Sequence, residues 1–342
     1  MSVSFMIQSC VSKIIGFILA CFVSLIIFIT MIRSPIKFVK SIFFPKKRNV
    51  MPACLNNPSL GNHDFVHLED VRLHYVASGQ EGKPLMLLLH GFPEFWFSWR
   101  YQIPEFKKDY RVVAVDMRGY GDSGKPGKKK DYAIGNLSKD IYQLIQALGY
   151  KKCVLVGHDW GGAVAWNFAY SYTDMVEKLV IVNSPHPISF AKYLRTHFSQ
   201  LKKSWYMMFF QVPFVPEFMF SMNDFAAFEA ISKSLRNNPP SDDEVEAYKY
   251  AFSQPGALTG PINYYRAAFS KQTKYERAAK LKVPTLVIWG EPDKYLETNL
   301  AHEAKNYVEN MTVKIIPDSS HFVLLDRPKE VNAAVREFLK DK

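Results

Sequence analysis

Apolar residues in this chain fall in short bursts, separated by longer stretches in which they recur every three to four positions. The bursts stand at 71–76, 85–89, 112–115, 153–156, 179–182, 285–289 and 313–316, each of strand length. Helical spacing is clearest at 135–148 and 328–339. Strands alternating with helices predict an α/β architecture, a mostly parallel sheet flanked by helices. The rhythm stops between about residues 186 and 280, where the chain is aromatic and Met-rich, helical in pattern and without a convincing strand. That interval is expected to be a helical cap inserted between two strands. Residues 45–64, rich in Pro, Asn, Ser and Lys, read as a linker.

One apolar run departs from these lengths. Residues 14–32 read IIGFILACFVSLIIFITMI, without a single charge. At helical rise they would extend roughly 28 Å, enough to cross a bilayer's hydrocarbon. The run exceeds a signal-peptide core, no small-residue cleavage site follows it, and it is apolar on every face. A retained single-pass anchor is expected, giving an anchor with a basic flank over 1–50 and a folded body over 51–342. The net charge of +11 belongs largely to this region: residues 1–52 carry Lys13, Arg33, Lys37, Lys40, Lys46, Lys47 and Arg48 and no acid. The body then has no excess that asks for a nucleic acid. Six of the seven bases follow the span, which places the body on the cytosolic side. Cys10, Cys21, Cys54 and Cys153 form no disulfide framework. The sequons at Asn136 and Asn310 keep the luminal orientation open.

The candidate chemistry is densest at 154–162, VLVGHDWGG. A strand-like run enters a glycine-flanked turn and a helix begins directly after it, the context of a nucleophile elbow. The elbow position is Asp159. A carboxylate is ill suited to acyl transfer, because its adduct would be an anhydride. It suits attack on an electrophilic sp³ carbon, which leaves an alkyl ester on the enzyme. His90-Gly91-Phe92-Pro93 follows an earlier strand, so the amides of Phe92 and Trp160 can form an oxyanion hole. Water activation needs a base and an acid to orient it. His321, after the last strand run, and Asp293, after the run at 285–289, complete the chain order nucleophile, acid, base. The acid position after 179–182 holds Asn183-Ser184-Pro185, without a carboxylate. His158, His186 and His302 are read as structural. No metal cluster with sensible spacing occurs, and no cofactor is expected.

HGFPEFWFSWR at 90–100, DMRGYGDS at 116–123, GHDWGG at 157–162 and SHF at 320–322 resemble the epoxide hydrolases of the α/β-hydrolase superfamily. The resemblance covers about residues 52–342. Through the apolar run and PACLNNPSLG at 52–61 it is nearest the membrane-anchored animal branch. It implies an eight-stranded core with a helical cap, placement at the endoplasmic reticulum, and an epoxide and water as substrates; the apolar cap and the anchor together favour a lipophilic epoxide. It also implies two cap tyrosines that polarise the epoxide oxygen and donate its proton. One falls in the motif at 260–266, GPINYYR, which gives the role to Tyr265 and puts Tyr264 where the family has Trp, so either ring could face the site. Tyr206, shortly before Phe209-Phe210-Gln211, best fits the other. Phe92, Trp160, Tyr206 and Tyr265 would then also contact substrate.

GHDWGG is shared with haloalkane dehalogenases, so halide release through the same ester is an alternative. A halide leaves as a stable anion, whereas an epoxide oxygen needs a weak acid such as tyrosine. Phe92 also occupies the place where a polar halide-holding residue is often found. A third possibility is a tethered binding protein without turnover, although every catalytic position is filled.

Overall fold

The computed structural model describes residues 46–269 and 280–340, with isolated helical positions between Phe17 and Ile32. Most of the 14–32 run lies outside the described residues. Among those described, no helix is long and apolar enough to cross a membrane.

Eight strands form one sheet: β1 Asn62–His67, β2 Arg72–Ser78, β3 Leu85–Leu89, β4 Arg111–Val115, β5 Cys153–His158, β6 Val176–Val182, β7 Thr285–Gly290 and β8 Met311–Ile316. Their spatial order is β1-β2-β4-β3-β5-β6-β7-β8. Only β1–β2 and β2–β4 are antiparallel, and the other pairs are parallel. β3 and β5 are buried along their whole length, because helices cover both faces of the centre. The carboxyl ends of β3, β5 and β7 therefore open on one rim, where a doubly covered sheet places its chemistry.

Twelve α-helices are named here in chain order. Around the sheet lie α1 Gln102–Phe106, α2 Ile134–Ala147, α3 Trp160–Ser171, α10 Asn299–Glu303, α11 Val323–Asp326 and α12 Pro328–Lys340. Between β6 and β7 come α4 Pro187–Thr196, α5 Phe198–Lys203, α6 Trp205–Phe209, α7 Val215–Ser232, α8 Asp242–Ser253 and α9 Thr259–Ala268. These six are the cap. α7 is kinked at Met222–Phe225, where Asn223, Asp224 and Phe225 have positive φ. α8 starts on a capping box, Ser241 with Glu244, which satisfies amides at its first turn.

The linker expected at 45–64 is a structured strap instead. It contains a short 3₁₀ turn at Ala53–Asn56 and runs into β1, whose largely exposed residues lack the apolar signature of a buried strand. Arg48 is buried, with its guanidinium on Asp224 at 2.8 Å and Glu246 at 2.9 Å. Lys46 also reaches Glu246 at 2.9 Å. Two bases counted above as free flanking charge are thus paired with cap acids.

Candidate active site

Asp159 sits between β5 and α3 with φ 49° and ψ −117°, a conformation that a side chain adopts only under strain. The surroundings enforce it. A Cβ at Gly161 would stand 2.1 Å from the Leu89 carbonyl oxygen, and one at Gly91 would stand 2.4 Å from the Asp159 Cβ. Those two glycines let β3, the elbow and α3 meet. The Ser184 hydroxyl donates to the Asp159 carbonyl at 2.7 Å and holds the turn from behind.

The Phe92 amide donates to Asp159 Oδ1 at 2.9 Å. Trp160 follows as the first residue of α3, its amide at the helix N-terminus and its ring edge-on to Tyr265 at 4.9 Å. His321 Nε2 lies 3.5 Å from Asp159 Oδ2, and its Nδ1 lies 2.7 Å from Asp293 Oδ2. The three residues proposed from the sequence are therefore brought together, with His321 between the two carboxylates.

Burial pushes the Asp159 carboxyl up, but the His321 contact and charge and the Phe92 N–H outweigh it, and the group lies below its usual range. Asp293 behaves likewise: burial raises it, His321 lowers it, and Asn183 Nδ2 at 2.8 Å and the Tyr295 amide at 2.7 Å help. On His321 burial favours the neutral ring, yet Asp293 and Asp159 together raise it to about 10. The resting site thus holds one imidazolium between two carboxylates.

Two phenols lie close enough to Asp159 to feel its charge. The rings of Tyr206 and Tyr265 meet edge to face at 5.8 Å, and both pack on Phe210. Burial, then neighbouring ionisable groups including Asp159, hold both hydroxyls well above the ordinary tyrosine range, so they keep their protons. Tyr264 points elsewhere, its hydroxyl donating to the Arg118 carbonyl at 2.7 Å. This leaves Tyr265 as the tyrosine of that motif in the cluster around Phe92.

Four supporting side chains were given no part in the site by sequence reasoning, which read His158 only as structural and Asn183 only as the place of a missing carboxylate. Asn183, at φ 37° after β6, ties Asp293 to the Gly290 amide, so the position without a carboxylate serves the acid from the next strand. Glu94 Oε2 accepts from the Gly91 amide at 2.9 Å and lies 2.6 Å from His158 Nδ1. His158 Nε2 in turn donates to the His321 carbonyl at 2.9 Å, so this structural histidine braces the base's backbone. Tyr295 packs edge-on against His321 at 5.2 Å and against Tyr206 at 5.8 Å. Glu94 was legible in HGFPE; the others needed the fold. Among the described residues no group of His, Cys, Asp and Glu is arranged to hold a metal ion.

A model of the alpha/beta hydrolase fold family matches residues 84–328. Epoxide hydrolase 4 of Mus musculus is 48% identical over 301 residues, which is 85% of this chain and 83% of that protein. Epoxide hydrolase 3 of Xenopus tropicalis is 46% identical over 306 residues, covering 86% and 82% of the two chains. Among solved structures, a Bacillus megaterium epoxide hydrolase in complex with an inhibitor superposes with a TM-score of 0.76 at 35% identity, over 81% of this chain and 100% of that one.

Proposed function

The chain belongs to the α/β-hydrolase family and, within it, to the epoxide hydrolases, and from that membership we propose that it opens lipophilic epoxides to vicinal diols through an ester on Asp159. That it is a hydrolase acting on epoxides follows from the relatives. The observation that carries the chemistry is the elbow carboxylate, with Oδ1 on the Phe92 amide and Oδ2 toward His321, close to two protonated phenols.

In the first step Asp159 Oδ2 attacks a ring carbon and the carbon–oxygen bond of the epoxide breaks. Tyr265 and Tyr206 hydrogen-bond the departing oxygen, and one phenol supplies its proton. No base is needed here. Before the second step His321 gives up its proton to solvent, and the neutral ring then takes a proton from water as the oxygen attacks Asp159 Cγ. The tetrahedral oxyanion rests on the Phe92 and Trp160 amides. Collapse expels the alkoxide, which takes the proton from His321, and the diol leaves. The water's second proton, left on the Asp159 carboxyl, passes to His321 and restores the resting pair, and the phenol regains its proton from solvent. No cofactor enters either step.

Ester formation also resets the base. It removes one of the two carboxylates that keep a proton on His321, so the ring becomes easier to deprotonate when a neutral base is required. Repeated turnover in ¹⁸O-water followed by peptide mass analysis tests the covalent route. Label is expected in Asp159, because each cycle returns one solvent oxygen to its carboxylate. Label found only in the diol would mean direct attack by water.

The apolar substrate class is supported by the aromatic wall around the tyrosines, where the Phe92 ring meets those of Phe210, Phe220 and Phe252. Residues 14–32 are proposed to anchor the chain in the endoplasmic reticulum membrane with the body in the cytosol. The described positions there are helical, with Phe17, Leu25 and Phe28 exposed, and bases follow the run. Resistance of the chain to alkaline carbonate extraction would support the anchor. A glycosidase-sensitive mass shift would reverse the orientation.

A further inference from the structure

Helix α5 is amphipathic in the wrong sense for a helix packed on a folded body, with polar Gln200 as its buried residue, whereas α6 buries Met207 and Phe209. Gln200 is fully buried, its amide nitrogen donating to the Ser204 hydroxyl and the Tyr295 carbonyl and its oxygen accepting from the Glu297 amide. Ser204 is buried beside it, and Lys203 Nζ reaches the Asp293 carbonyl at 2.9 Å. Three apolar side chains face out: Phe198 is 79% exposed, Leu201 44% and Trp205 47%. Phe198 and Leu201, three apart on α5, share one face, and Trp205 opens α6 directly after it. Farther along the same stretch, Phe214 is 83% exposed.

Charge in this stretch has one sign. From Pro187 through Pro216 the chain has no Asp or Glu, while Lys192, Arg195 and Lys202 are exposed. Exposed aromatics on a stretch whose own charges are all basic match the headgroup boundary of an anionic bilayer, where Trp and Phe enter the acyl edge and Lys and Arg meet phosphate and carboxylate. We infer that the outer face of α5 and α6 docks on an anionic lipid surface and presents the cap to the membrane. This differs from anchoring by residues 14–32, which would tether the body without selecting the face that meets the bilayer. It also bears on substrate supply. α6 carries Tyr206, and α5 is bonded to the loop of Asp293, so the docked helices lie next to the catalytic groups. An epoxide dissolved in the bilayer would approach the site from that side.

The test uses the full chain in nanodiscs of phosphatidylcholine and phosphatidylserine, with lipids spin-labelled on the upper acyl chain. A fluorophore is placed through Phe198→Cys or, separately, Leu201→Cys, in a background with Cys10, Cys21 and Cys54 replaced by Ser. Lys329→Cys, exposed on α12, is the comparison site. Emission at 198 and 201 is expected to shift to the blue and to be quenched severalfold more than at 329. The charge reversals Lys192→Glu, Arg195→Glu and Lys202→Glu together should remove most of that difference. Equal quenching at all three sites would overturn the proposal while leaving the anchor intact. A chain that does not associate with the discs would overturn both. A blue shift without lipid quenching that grows with the number of chains per disc would mean that a second copy covers this face, and would also overturn it.

Discussion

In the proposed cycle His321 does opposite work in the two halves, and its neighbours explain how. Held to about 10 by Asp293 and Asp159, it is an imidazolium at neutral pH and keeps Asp159 ionised for attack. Once Asp159 is esterified, only Asp293 still favours the proton. Removal of the base should therefore separate the steps. His321→Gln is expected to form the ester in a burst stoichiometric with enzyme, then to lose about 10²–10⁴ or more in turnover. Intact-mass analysis should find the protein heavier by one substrate; absence of both burst and adduct would mean that His321 is needed for attack. Asp293→Asn should trap ester more weakly, because it spoils orientation and charge balance without deleting the ring. In the wild type, single-turnover ester hydrolysis should rise with pH through a midpoint below that of His321 in the free enzyme. In that proposal the phenols act only in the first step. Tyr206→Phe with Tyr265→Phe is expected to abolish the burst itself, by several orders of magnitude, which rapid-quench measurement of ester formation would read.

At the scale of elements, the sheet's central strands and the elbow were legible because each has a local cause. Leu85–Leu89 is buried throughout and leaves an uninterrupted aliphatic run, and VLVGHDWGG is the sequence that a strained strand-to-helix turn requires. β1 was not legible, since an edge strand with exposed Asn62, His63 and Asp64 has no apolar alternation to read. Nor was the strap. Its Pro, Asn and Lys content suits a linker, and only the fold brings Arg48 against Asp224 and Glu246, far along the chain. Burial of Arg48 opposes its charge, yet the two carboxylates outweigh that, while Arg48 lowers both of them below their usual range. The pair stations the strap on α8 and on the positive-φ kink of α7. Arg48→Met should destabilise the body by about 1–2 kcal/mol, modest because both acids are partly exposed and regain water. Hydrogen exchange should quicken at residues 222–226 in particular. Exchange that rises evenly over the cap, or not at all, would detach the kink from the strap.

For the whole molecule, the buried ionic groups of the site make folding stability depend on pH at both ends, and the signs follow from their shifts. Asp159, Asp293 and Glu94 are held below their ordinary values by buried partners. Such carboxylates stabilise the fold above their unfolded values and lose that contribution as pH falls through their folded ones. Asp116, beneath the 116–123 motif, adds to the same limb: burial raises it, but His74 at 2.7 Å and the Trp96 amide bring it below the usual range. His321 runs the other way. Its folded value of about 10 exceeds the ordinary 6.5, so its contribution is complete below about pH 6.5 and is lost as pH rises toward 10. Stability should therefore crest on the mildly acidic to neutral side and decline through the alkaline range before any lysine or tyrosine of ordinary pKa titrates. His321→Gln removes the group that titrates there, so its denaturant midpoint should fall less between pH 6.5 and 10 than that of the wild type. The absolute stability of the variant is a separate matter, because two carboxylates are then left without the cation between them. Parallel alkaline limbs for the two proteins would show that His321 is not held protonated in the folded chain. The resting ion triad from which both catalytic steps were argued would then have to be abandoned.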